Sequence, residues 1–574
     1  MKKFNFFKSK KKTPWNEYYK SENIKFKVPE GSIYRLICDQ VNDRDGMLAY
    51  SYYGHSVTYK EFMKQIDGAA KAFRSQGIRK GDVVTICMPN VPEAVISFYA
   101  LNKIGAIASM VHPLSSEQEI KNYLVSTNSV MMVMIDLCYE KVAGVIKETD
   151  VYKTILVSAG NSMSIPMKMG YICTKSYKIK KPSFKGEYMH WKDFISKGAH
   201  YNGKVEFETD KETPAVMLHS GGTTGTPKGI VLSNGNFNAL AEQVKIIFNK
   251  LEPNDKVLAI MPVFHGFGLG VSIHSVLHIG SCVDLIPQFD ARHFDKLIKK
   301  SNPSVIVGVP TLFEALLNTN NKKLDLSYVK YVVSGGDCLT ESLGEKVNNF
   351  LKEHNCEVEV MQGYGLTEAV AATALAYGEH NVLGSIGIPF PDNSFKIVRP
   401  GSQDELPNGE TGEICISGPT VMMGYFNNEK ETNDVLQIHK DKKIWLHTGD
   451  MGYIRDDGII FYQSRLKRMI ISSGYNVYPQ QIENIIESHE AVMKCTVIGI
   501  PHKYKVQVAK AIIVLNSGYT ESSSIKKSIK ELCEKNLARY SLPYEYEFRE
   551  SLPKTLIGKV DFKKLAEEEE EKKK

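Results

Sequence analysis

The sequence predicts an α/β fold, in which a large N-terminal domain of parallel-sheet α/β subdomains plus a small β-rich subdomain is followed by a small α+β C-terminal domain. From Asp82 to about Gln362, near-continuous apolar runs alternate with segments of helical length. This alternation is typical of parallel strands whose sheets are covered by helices on both faces. After about Pro391 the chain changes to short strand-like runs between turns, which indicates the smaller β-rich unit.

Seven runs in the first part have the composition of buried strands, namely residues 82–88, 130–136, 154–159, 215–220, 256–261, 304–309 and 331–335. The helical segments carry capping signals. Thr58 and Glu61 have the spacing of a capping box, apolar residues recur on one helical face after them, and Gly77 marks the end. Strands and helices that alternate in this way predict parallel sheets.

The last unit begins near Lys467. It contains strand-like runs at 495–500 and 509–515, and a helix that places Ile525, Ile529, Leu532 and Leu537 on one face. These parts suit a compact α+β domain of about a hundred residues. We therefore divide the chain into a basic tail over 1–30, an N-terminal core over 31–466, a C-terminal domain over 467–562 and a charged, solvated tail over 563–574.

Composition excludes several classes of function. The 574 residues are 43% hydrophobic and 24% charged, as in an ordinary globular protein rather than a fibrous or disordered one. A net charge of +7 spread over this length does not predict a nucleic-acid partner. The ten cysteines form no CxxC pair, so we expect reduced, buried thiols in a cytoplasmic protein rather than disulfides or a zinc site.

No apolar run reaches the roughly 18 to 20 residues that a membrane-spanning helix needs. The N-terminal sequence MKKFNFFKSKKK also lacks the apolar core of a signal peptide. Two interpretations remain for this segment. It is a solvated tail, or it rests with Phe4, Phe6, Phe7 and Trp15 on an anionic membrane surface, which would add a peripheral location at the inner face of the membrane.

The most informative segment is a glycine-rich loop, HSGGTTGTPKG at 219–229, which follows the apolar strand AVML. Glycines let successive backbone N–H groups converge on an anion, and hydroxyl side chains add donors without bulk. Because Pro227 precedes Lys228 and no Ser or Thr follows the lysine, the loop is not a Walker A motif. We predict that it binds a polyphosphate through Ser220, Gly221, Gly222, Thr223, Thr224, Gly225 and Lys228.

Six further motifs follow in a set order, namely PVFHGFG at 262–268, GYGLTE at 363–368, GEICISGP at 412–419, HTGD at 447–450, RLKRMIISSGYNVYP at 465–479 and PKTLIGK at 553–559. Together with SGGTTGTPKG they resemble the signature of the adenylate-forming superfamily, which includes acyl-CoA synthetases. The resemblance covers residues 50–562. It implies an enzyme that joins a carboxylate to the α-phosphate of ATP, releases pyrophosphate, and then transfers the acyl group to a thiol.

The resemblance implies roles for individual residues. Lys559 would bridge the carboxylate and the α-phosphate, because a point charge on a flexible stem can follow charge as it builds. Thr367 would hydrogen-bond a phosphate oxygen, and Glu368 would ligate Mg²⁺ through a hard carboxylate oxygen. His265 would lie beside the carboxylate and the thiol tunnel, with a structural core histidine as the alternative.

The same resemblance implies a nucleotide pocket. Asp450 would accept both ribose hydroxyls, Arg465 would contact ribose and phosphates as a fixed-charge fork, and adenine would stack on Tyr364. The rest of the implied pocket is Gly335, Gly336, Asp337 and Gly365.

A hinge and a thiol loop are implied as well. Lys467 falls where the family places its hinge, about which a mobile C-terminal domain would rotate between adenylation and thiol transfer. The loop that would admit the thiol of coenzyme A consists of Ser473, Gly474 and Tyr475.

Two segments favour a fatty acid as the carboxylate. PWNEYY near the N-terminus and the Met-rich insertion 158–194 resemble those of bacterial long-chain acyl-CoA synthetases. The lysines of the insertion would contact a membrane or form a solvated loop. The expected partners are thus a fatty acid, ATP, Mg²⁺ and coenzyme A, without nucleic acid or a stable protein partner.

Two alternatives stay open at this point. The first is a stand-alone acyl-AMP ligase that loads a carrier protein; the lack of an insertion between Asp450 and Gly474 favours coenzyme A over it. The second is a non-catalytic binding or membrane-scaffold protein that retains the fold.

Overall fold

A computed structural model of the chain describes residues 13–41, 44–180, 182, 184, 186–220, 228–319, 321, 323–472, 475–502, 504–555 and 559–572. The α-helices in this part of the chain are α1 Pro14–Ser21, α2 Ile33–Val41, α3 Tyr59–Ser75, α4 Pro92–Lys103, α5 Glu117–Ser126, α6 Tyr139–Ile146, α7 Ile165–Thr174, α8 Trp191–Gly198, α9 Asn234–Ile247, α10 Val276–Ile279, α11 Phe294–Ser301, α12 Pro310–Leu317, α13 Glu341–Glu353, α14 Glu429–Val435, α15 Pro479–Glu487, α16 Ser523–Asn536 and α17 Phe562–Glu571.

The strands are β1 Leu48–Tyr52, β2 His55–Thr58, β3 Val83–Cys87, β4 Ile107–Met110, β5 Ser129–Ile135, β6 Lys153–Val157, β7 Tyr188–His190, β8 Pro214–Ser220, β9 Lys228–Ser233, β10 Lys256–Ala259, β11 Cys282–Leu285, β12 Val305–Gly308, β13 Tyr331–Ser334, β14 Val360–Tyr364, β15 Ala374–Leu375, β16 Ile388–Pro389, β17 Ser394–Val398, β18 Gly412–Ser417, β19 Gly424–Tyr425, β20 Leu436–Ile438, β21 Ile444–Ile454, β22 Ile460–Arg465, β23 Ile470–Ser472, β24 Tyr475–Val477, β25 Val492–His502, β26 Val506–Leu515 and β27 Glu545–Phe548.

Two large sheets form the N-terminal part. One has eight strands in the order β19-β9-β8-β4-β3-β5-β6-β7, and the other has nine in the order β16-β15-β14-β13-β12-β10-β11-β1-β2. β3 to β8 pair in parallel in the first sheet, and β10 to β14 with β1 do so in the second. The prediction of parallel α/β sheets is confirmed, and all seven predicted strands are present.

Helices fill the space between the sheets. α9 contacts β8 and β9 of the eight-stranded sheet and also a π-helix, Phe267–Ser275, which contacts β10 of the nine-stranded sheet. Every residue of α4 is buried, so the apolar run near residue 91 is a core helix. The predicted capping box of Thr58 and Glu61 opens α3. Within the described residues, no helix combines the length and apolarity needed to cross a membrane.

The predicted β-rich subdomain is a five-stranded antiparallel sheet of β17, β18, β20, β21 and β22. The C-terminal unit is a second five-stranded sheet, with β23 to β27, and α15 and α16 pack beside it. In α16 the buried residues are Ile529 and Cys533. Leu537 was predicted on the same helical face, but the helix ends at Asn536 and Leu537 follows it in an extended conformation.

Trp15, which the sequence placed in a solvated tail or on a membrane surface, differs from both interpretations. Pro14 opens α1, and Trp15 and Tyr19 on this helix are 3% and 7% exposed. The Tyr19 hydroxyl donates a hydrogen bond to the carbonyl of Pro389. Trp15 is therefore part of the core and belongs neither to a solvated tail nor to a membrane contact. Residues 1–12, with Phe4, Phe6 and Phe7, lie outside the described residues.

The charged C-terminal run is not a solvated tail either. It forms most of α17, where Leu565 is completely buried against Ile512 and Val514 of β26. One helical turn later, Glu569 accepts a 2.9 Å hydrogen bond from Lys510, whose Nζ is also 2.8 Å from Glu547. This buried lysine needs carboxylate partners, because an unpaired buried charge is costly. The run of glutamates supplies one of them.

All ten cysteines are free, as expected, but their burial differs from the prediction at three positions. Cys38 and Cys338 are half-buried, and Cys173 is exposed on α7. Its apolar neighbours in sequence predicted a core position; they are themselves exposed.

We expect Leu565→Ala to lower the free energy of unfolding of the C-terminal unit by about 2–4 kcal/mol, since it deletes a fully buried side chain and leaves a cavity. Chemical denaturation of the full chain measures the change. Lys564→Ala, at an exposed neighbouring position, is the matched control and should shift stability by no more than about 0.5 kcal/mol. Equal stability of the two variants would contradict the packing of α17.

Candidate active site

The carboxyl ends of strands from both large sheets converge on one region. β13 ends at Ser334 and β14 at Tyr364 in the nine-stranded sheet, and β8 ends at Ser220 in the other. The short turn Thr367–Ala369 that follows β14 contacts β8 and β9. This contact joins the edges of the two sheets, which is where α/β sheets bind their ligands. Thr367 and Glu368 lie on the connecting turn.

The chain after β14 is tightly folded. A Cβ atom at position 365 would lie 2.0 Å from the carbonyl oxygen of Ala371, so only glycine fits there. Val370 and Ala371 have positive φ angles of 51° and 71°, which cost energy in residues with a side chain and are typical of functional sites. The strained loop holds the Thr367–Ala369 turn in place.

Asp450 is the most buried charged group of the region, at 1% exposure in β21. Its Oδ2 accepts a 2.7 Å hydrogen bond from the Tyr364 hydroxyl, and the Nε of Arg465 on β22 lies 3.0 Å from its Oδ1. Burial raises the pKa of Asp450 above its ordinary value, and the charge of Arg465 and the tyrosine hydroxyl oppose that rise. Among the described residues, no group is aligned to donate a hydrogen bond to Oδ1, so its contact with Arg465 is an ion pair. Three predicted pocket residues thus meet here.

A carboxylate that the sequence analysis did not single out orients the HTGD turn. Glu413 Oε1 accepts a 3.0 Å hydrogen bond from the backbone N–H of Gly449, and its Oε2 lies 2.9 Å from Nδ1 of His447. The Thr448 hydroxyl accepts from the backbone N–H of Asp450 at 3.0 Å. These bonds determine where the Asp450 side chain points. Glu413 belongs to the motif GEICISGP, so the sequence marked its segment. The motif did not indicate that this carboxylate orients the HTGD turn.

A chain of four side chains links Glu368 to the end of the glycine-rich loop. The Tyr425 hydroxyl donates to Glu368 Oε1 at 3.1 Å. The Nζ of Lys228 lies 4.9 Å from the centre of the Tyr425 ring and 2.7 Å from Glu431 Oε2. Lys228 is therefore held against the Tyr425 ring, with its charge paired to Glu431. Tyr425 and Glu431 were missed because they lie in no recognised motif.

Lys559 reaches the same region from the C-terminal unit. A Cβ added to Gly336, which has φ +78°, would lie 3.9 Å from Lys559 Cε. Burial lowers the pKa of Lys559, and the nearby carboxylates of Asp337 and Asp450 oppose this shift. The lysine side chain therefore lies beside the glycine turn that follows β13. Asp337 itself is exposed.

His265 lies close to Lys559 at the start of the π-helix segment. Burial, with the charge of Lys559, lowers the pKa of His265 to about 4, so the imidazole is neutral near pH 7. Its Nδ1 faces the backbone N–H of Phe267 at 3.2 Å and accepts that hydrogen bond. The proton is then on Nε2.

Buried charges from both units meet where the C-terminal unit contacts the N-terminal core. Lys494 of β25 is 3.1 Å from Glu487 of α15. Glu314 of α12 and Asp337 act on Lys494 electrostatically and, with Glu487, raise its pKa against the effect of its burial. Burial raises the pKa of Glu314, and Lys494 opposes that rise. These charges meet in the orientation of the C-terminal unit that brings Lys559 to the strand ends.

Some of the remaining predicted residues lie within the described part of the chain, and others lie outside it. Lys467 is exposed on a 3₁₀ turn, Leu466–Arg468, between β22 and β23. The backbone of Ser220 ends β8 and that of Tyr475 begins β24. The residues of the glycine-rich and thiol loops that lie outside the described part of the chain are Gly221, Gly222, Thr223, Thr224, Gly225, Ser473 and Gly474.

Comparison with known proteins identifies the family. The AMP-binding enzyme family matches residues 38–426, and the AMP-binding enzyme C-terminal domain matches residues 481–559. A protein named long-chain-fatty-acid–CoA ligase from Bacillus subtilis (strain 168) is 31% identical over 97% of this chain and 98% of its own length. A protein of the same name from Haemophilus influenzae (strain ATCC 51907 / DSM 11121 / KW20 / Rd) is 29% identical, with the same coverage of 97% and 98%.

A solved structure shows the same fold. The benzoate CoA ligase from Burkholderia xenovorans LB400 superposes with a TM-score of 0.78 at 22% identity, covering 93% of this chain and 99% of its own. The family match spans well over half of the chain, and the sites that carry its motifs meet at one place in the structure. The chain therefore belongs to the AMP-binding enzyme family of adenylate-forming enzymes and is an AMP-forming acid–thiol ligase that uses ATP and coenzyme A.

Proposed function

We propose that the enzyme converts a fatty acid into its acyl-CoA thioester, through an acyl-adenylate, with release of pyrophosphate and AMP. The observation that carries the substrate is the pair of relatives named long-chain-fatty-acid–CoA ligase, each aligned over nearly the whole chain. The fold alone does not select it, because the structurally similar benzoate CoA ligase acts on an aromatic acid. The substrate therefore needs a direct test.

Asp450 is proposed to bind the ribose. A carboxylate is an acceptor of hydroxyl hydrogen bonds, and Oδ1 of Asp450 accepts no well-aligned hydrogen bond from the described part of the chain. Arg465 covers this oxygen at 3.0 Å while half of its own side chain is exposed. We infer that the guanidinium shifts towards ribose and phosphate when the nucleotide binds. Tyr364, held by Asp450, is proposed to present its ring to adenine.

Lys559 is proposed to stabilise the transition state of adenylation. Attack of the carboxylate on the α-phosphate concentrates negative charge between two anions, and a lysine that bridges them lowers the barrier. The lowered pKa of Lys559 reflects burial away from water, where its charge acts more strongly. The neutral His265 beside it adds no second positive charge, which suits a role in lining the carboxylate site.

The chain's residues fit a magnesium ion. Glu368 is a hard carboxylate ligand on the turn that joins the two sheets, and among the described residues only its Oε1 has a hydrogen-bond partner. We propose that Glu368 holds Mg²⁺ and that Thr367 contacts a phosphate oxygen. When bound, Mg²⁺ neutralises phosphate charge. Tyr425 orients the carboxylate through its hydroxyl.

The second half-reaction is proposed to need a different orientation of the C-terminal unit. Here Lys559 occupies the space beside Gly336, as adenylation requires. Rotation about the exposed turn at Lys467 would remove the lysine and bring the loop at Ser473, Gly474 and Tyr475 to the thiol. The buried charges Lys494 and Glu314 would then separate and regain water.

Lys559→Ala should reduce the rate of acyl-adenylate formation by about 10²- to 10³-fold, by analogy with the loss of one oxyanion donor. The variant should still convert supplied acyl-AMP and coenzyme A into thioester. Pyrophosphate release measures the first step, and thioester formation the second. Lys564→Ala is the exposed-lysine control and should retain both. Equal loss of both half-reactions in Lys559→Ala would exclude the two-orientation scheme.

Acids from C2 to C18, together with benzoate, test the substrate. We expect kcat/KM to rise by up to about fourfold per methylene until the acyl site is filled, since each buried methylene contributes about 0.8 kcal/mol. AMP release in the presence and absence of coenzyme A gives the rates. A preference for acetate or benzoate would rule out a fatty acid, and acyl-AMP that accumulates without reacting with coenzyme A would identify an acyl-AMP ligase.

Glu368→Gln should raise the Mg²⁺ concentration needed for half-maximal adenylation while the KM for the carboxylate stays nearly constant. The amide keeps the shape and the contact with Tyr425 but loses the negative charge that holds the ion. Magnesium titrations of the initial rate measure the effect. Glu379→Gln, at a 71% exposed side chain, is the control. A changed carboxylate KM with unchanged magnesium dependence would place Glu368 outside the metal site.

A further inference from the structure

Helix α7 projects from the surface of the N-terminal core with almost nothing packed on it. Nine of its ten residues are exposed, and Tyr171 alone is half-buried. The helix is nevertheless fixed in position. Just before it, the hydroxyl of Ser162 donates to the buried Glu93 at 2.7 Å, and that of Ser164 donates to the carbonyl of Tyr53 at 3.0 Å. Two hydrogen bonds thus anchor the start of α7, and within the described residues most of its surface remains uncovered.

The exposed surface of α7 is apolar. Ile165, Met169 and Ile172 are 77%, 63% and 50% exposed, and their spacing of four and three residues places them on one face. Among the described residues, nineteen large apolar side chains are exposed, and five of them lie between positions 165 and 177. Such a cluster is costly in water, and in soluble proteins it marks a contact surface.

The charged residues that neighbour this face in the sequence are all lysines. Residues 158–186, which we call the basic segment, contain six lysines and no aspartate or glutamate. Lys168 and Lys175 lie three residues after Ile165 and Ile172, so they border the apolar face. Lys180 is paired with Glu140. A partner that matches this segment therefore needs negative charges to contact the lysines and an apolar layer below them to receive the apolar face.

We propose that α7 and the lysines of the basic segment dock the enzyme on the surface of an anionic lipid bilayer. A helix that lies in the membrane interface needs an apolar face to insert among the acyl chains and lysines beside it to contact acidic headgroups. α7 supplies both in one fixed element. A fatty acid dissolves in such a bilayer, so docking deepens the proposed function by placing the enzyme where that substrate is concentrated, and in this respect it rests on it.

Co-sedimentation of the full-length enzyme with lipid vesicles tests the proposal. One set of vesicles contains phosphatidylglycerol mixed with phosphatidylcholine, and the other contains phosphatidylcholine alone. We expect binding to the first set and at least about tenfold weaker binding to the second. This readout needs no catalysis, so failure of the fatty-acid assignment would leave it unaffected, and the two can be judged separately.

Ile165→Glu probes the apolar face. A carboxylate at the first helical position favours the helix itself, but it removes apolar area and adds repulsion from acidic headgroups, so vesicle binding should fall at least about tenfold. Ile438→Glu, at a 69% exposed isoleucine on β20, is the matched control and should bind like the wild type. Both variants should activate a water-soluble acid at the wild-type rate, which verifies folding.

Lys168→Gln combined with Lys175→Gln probes the charge. Each lysine near an acidic surface contributes about fivefold to the partition coefficient, so the pair should cost about 25-fold and weaken the salt dependence. The proposal would be overturned if the wild type bound both sets of vesicles equally. It would also be overturned if Ile165→Glu bound as the wild type does. Loss of all binding on deleting residues 2–12 alone would overturn it as well, since that would assign the contact to the N-terminal lysines.

Discussion

Asp450 is buried where the β-rich subdomain meets the nine-stranded sheet, and its charge needs partners there because burial raises its pKa. Tyr364 comes from the carboxyl end of β14, and Arg465 comes from the strand paired with that of Asp450. One carboxylate therefore positions two further pocket residues. Arg465 also lies two residues before Lys467, which is on the turn that leads into the C-terminal unit.

The second requirement is that a lysine 194 positions after Gly365 occupies the same site. Lys559 lies beside the glycine turn that follows β13, and carboxylates partly offset the effect of its burial. Nothing local to PKTLIGK produces this arrangement. It depends on the contact between the two units, where Lys494 is stabilised by Glu487, Glu314 and Asp337.

Three charged segments show why composition does not reveal exposure. The glutamate-rich C-terminal run folds into α17 because Leu565 and Glu569 share one face and find a core and a buried lysine. The N-terminal lysines precede a helix whose Trp15 is buried. The basic segment, in contrast, leaves the isoleucines and methionines of α7 exposed to water. All three segments combine charged and apolar residues, and the surfaces next to them in the fold decide which side chains are buried.

The sequence by itself determined the strands, the parallel sheets, the β-rich subdomain and the family, because these follow from local apolar periodicity and from motifs in a set order. It also named Tyr364, Asp450, Arg465 and Lys559. Only the tertiary structure decided which groups hold them. Glu413, Tyr425 and Glu431 act through contacts between residues 34 to 203 positions apart, and no periodicity records such pairings. The burial of Trp15 and Leu565 and the exposure of α7 were likewise set by surfaces that meet only after folding.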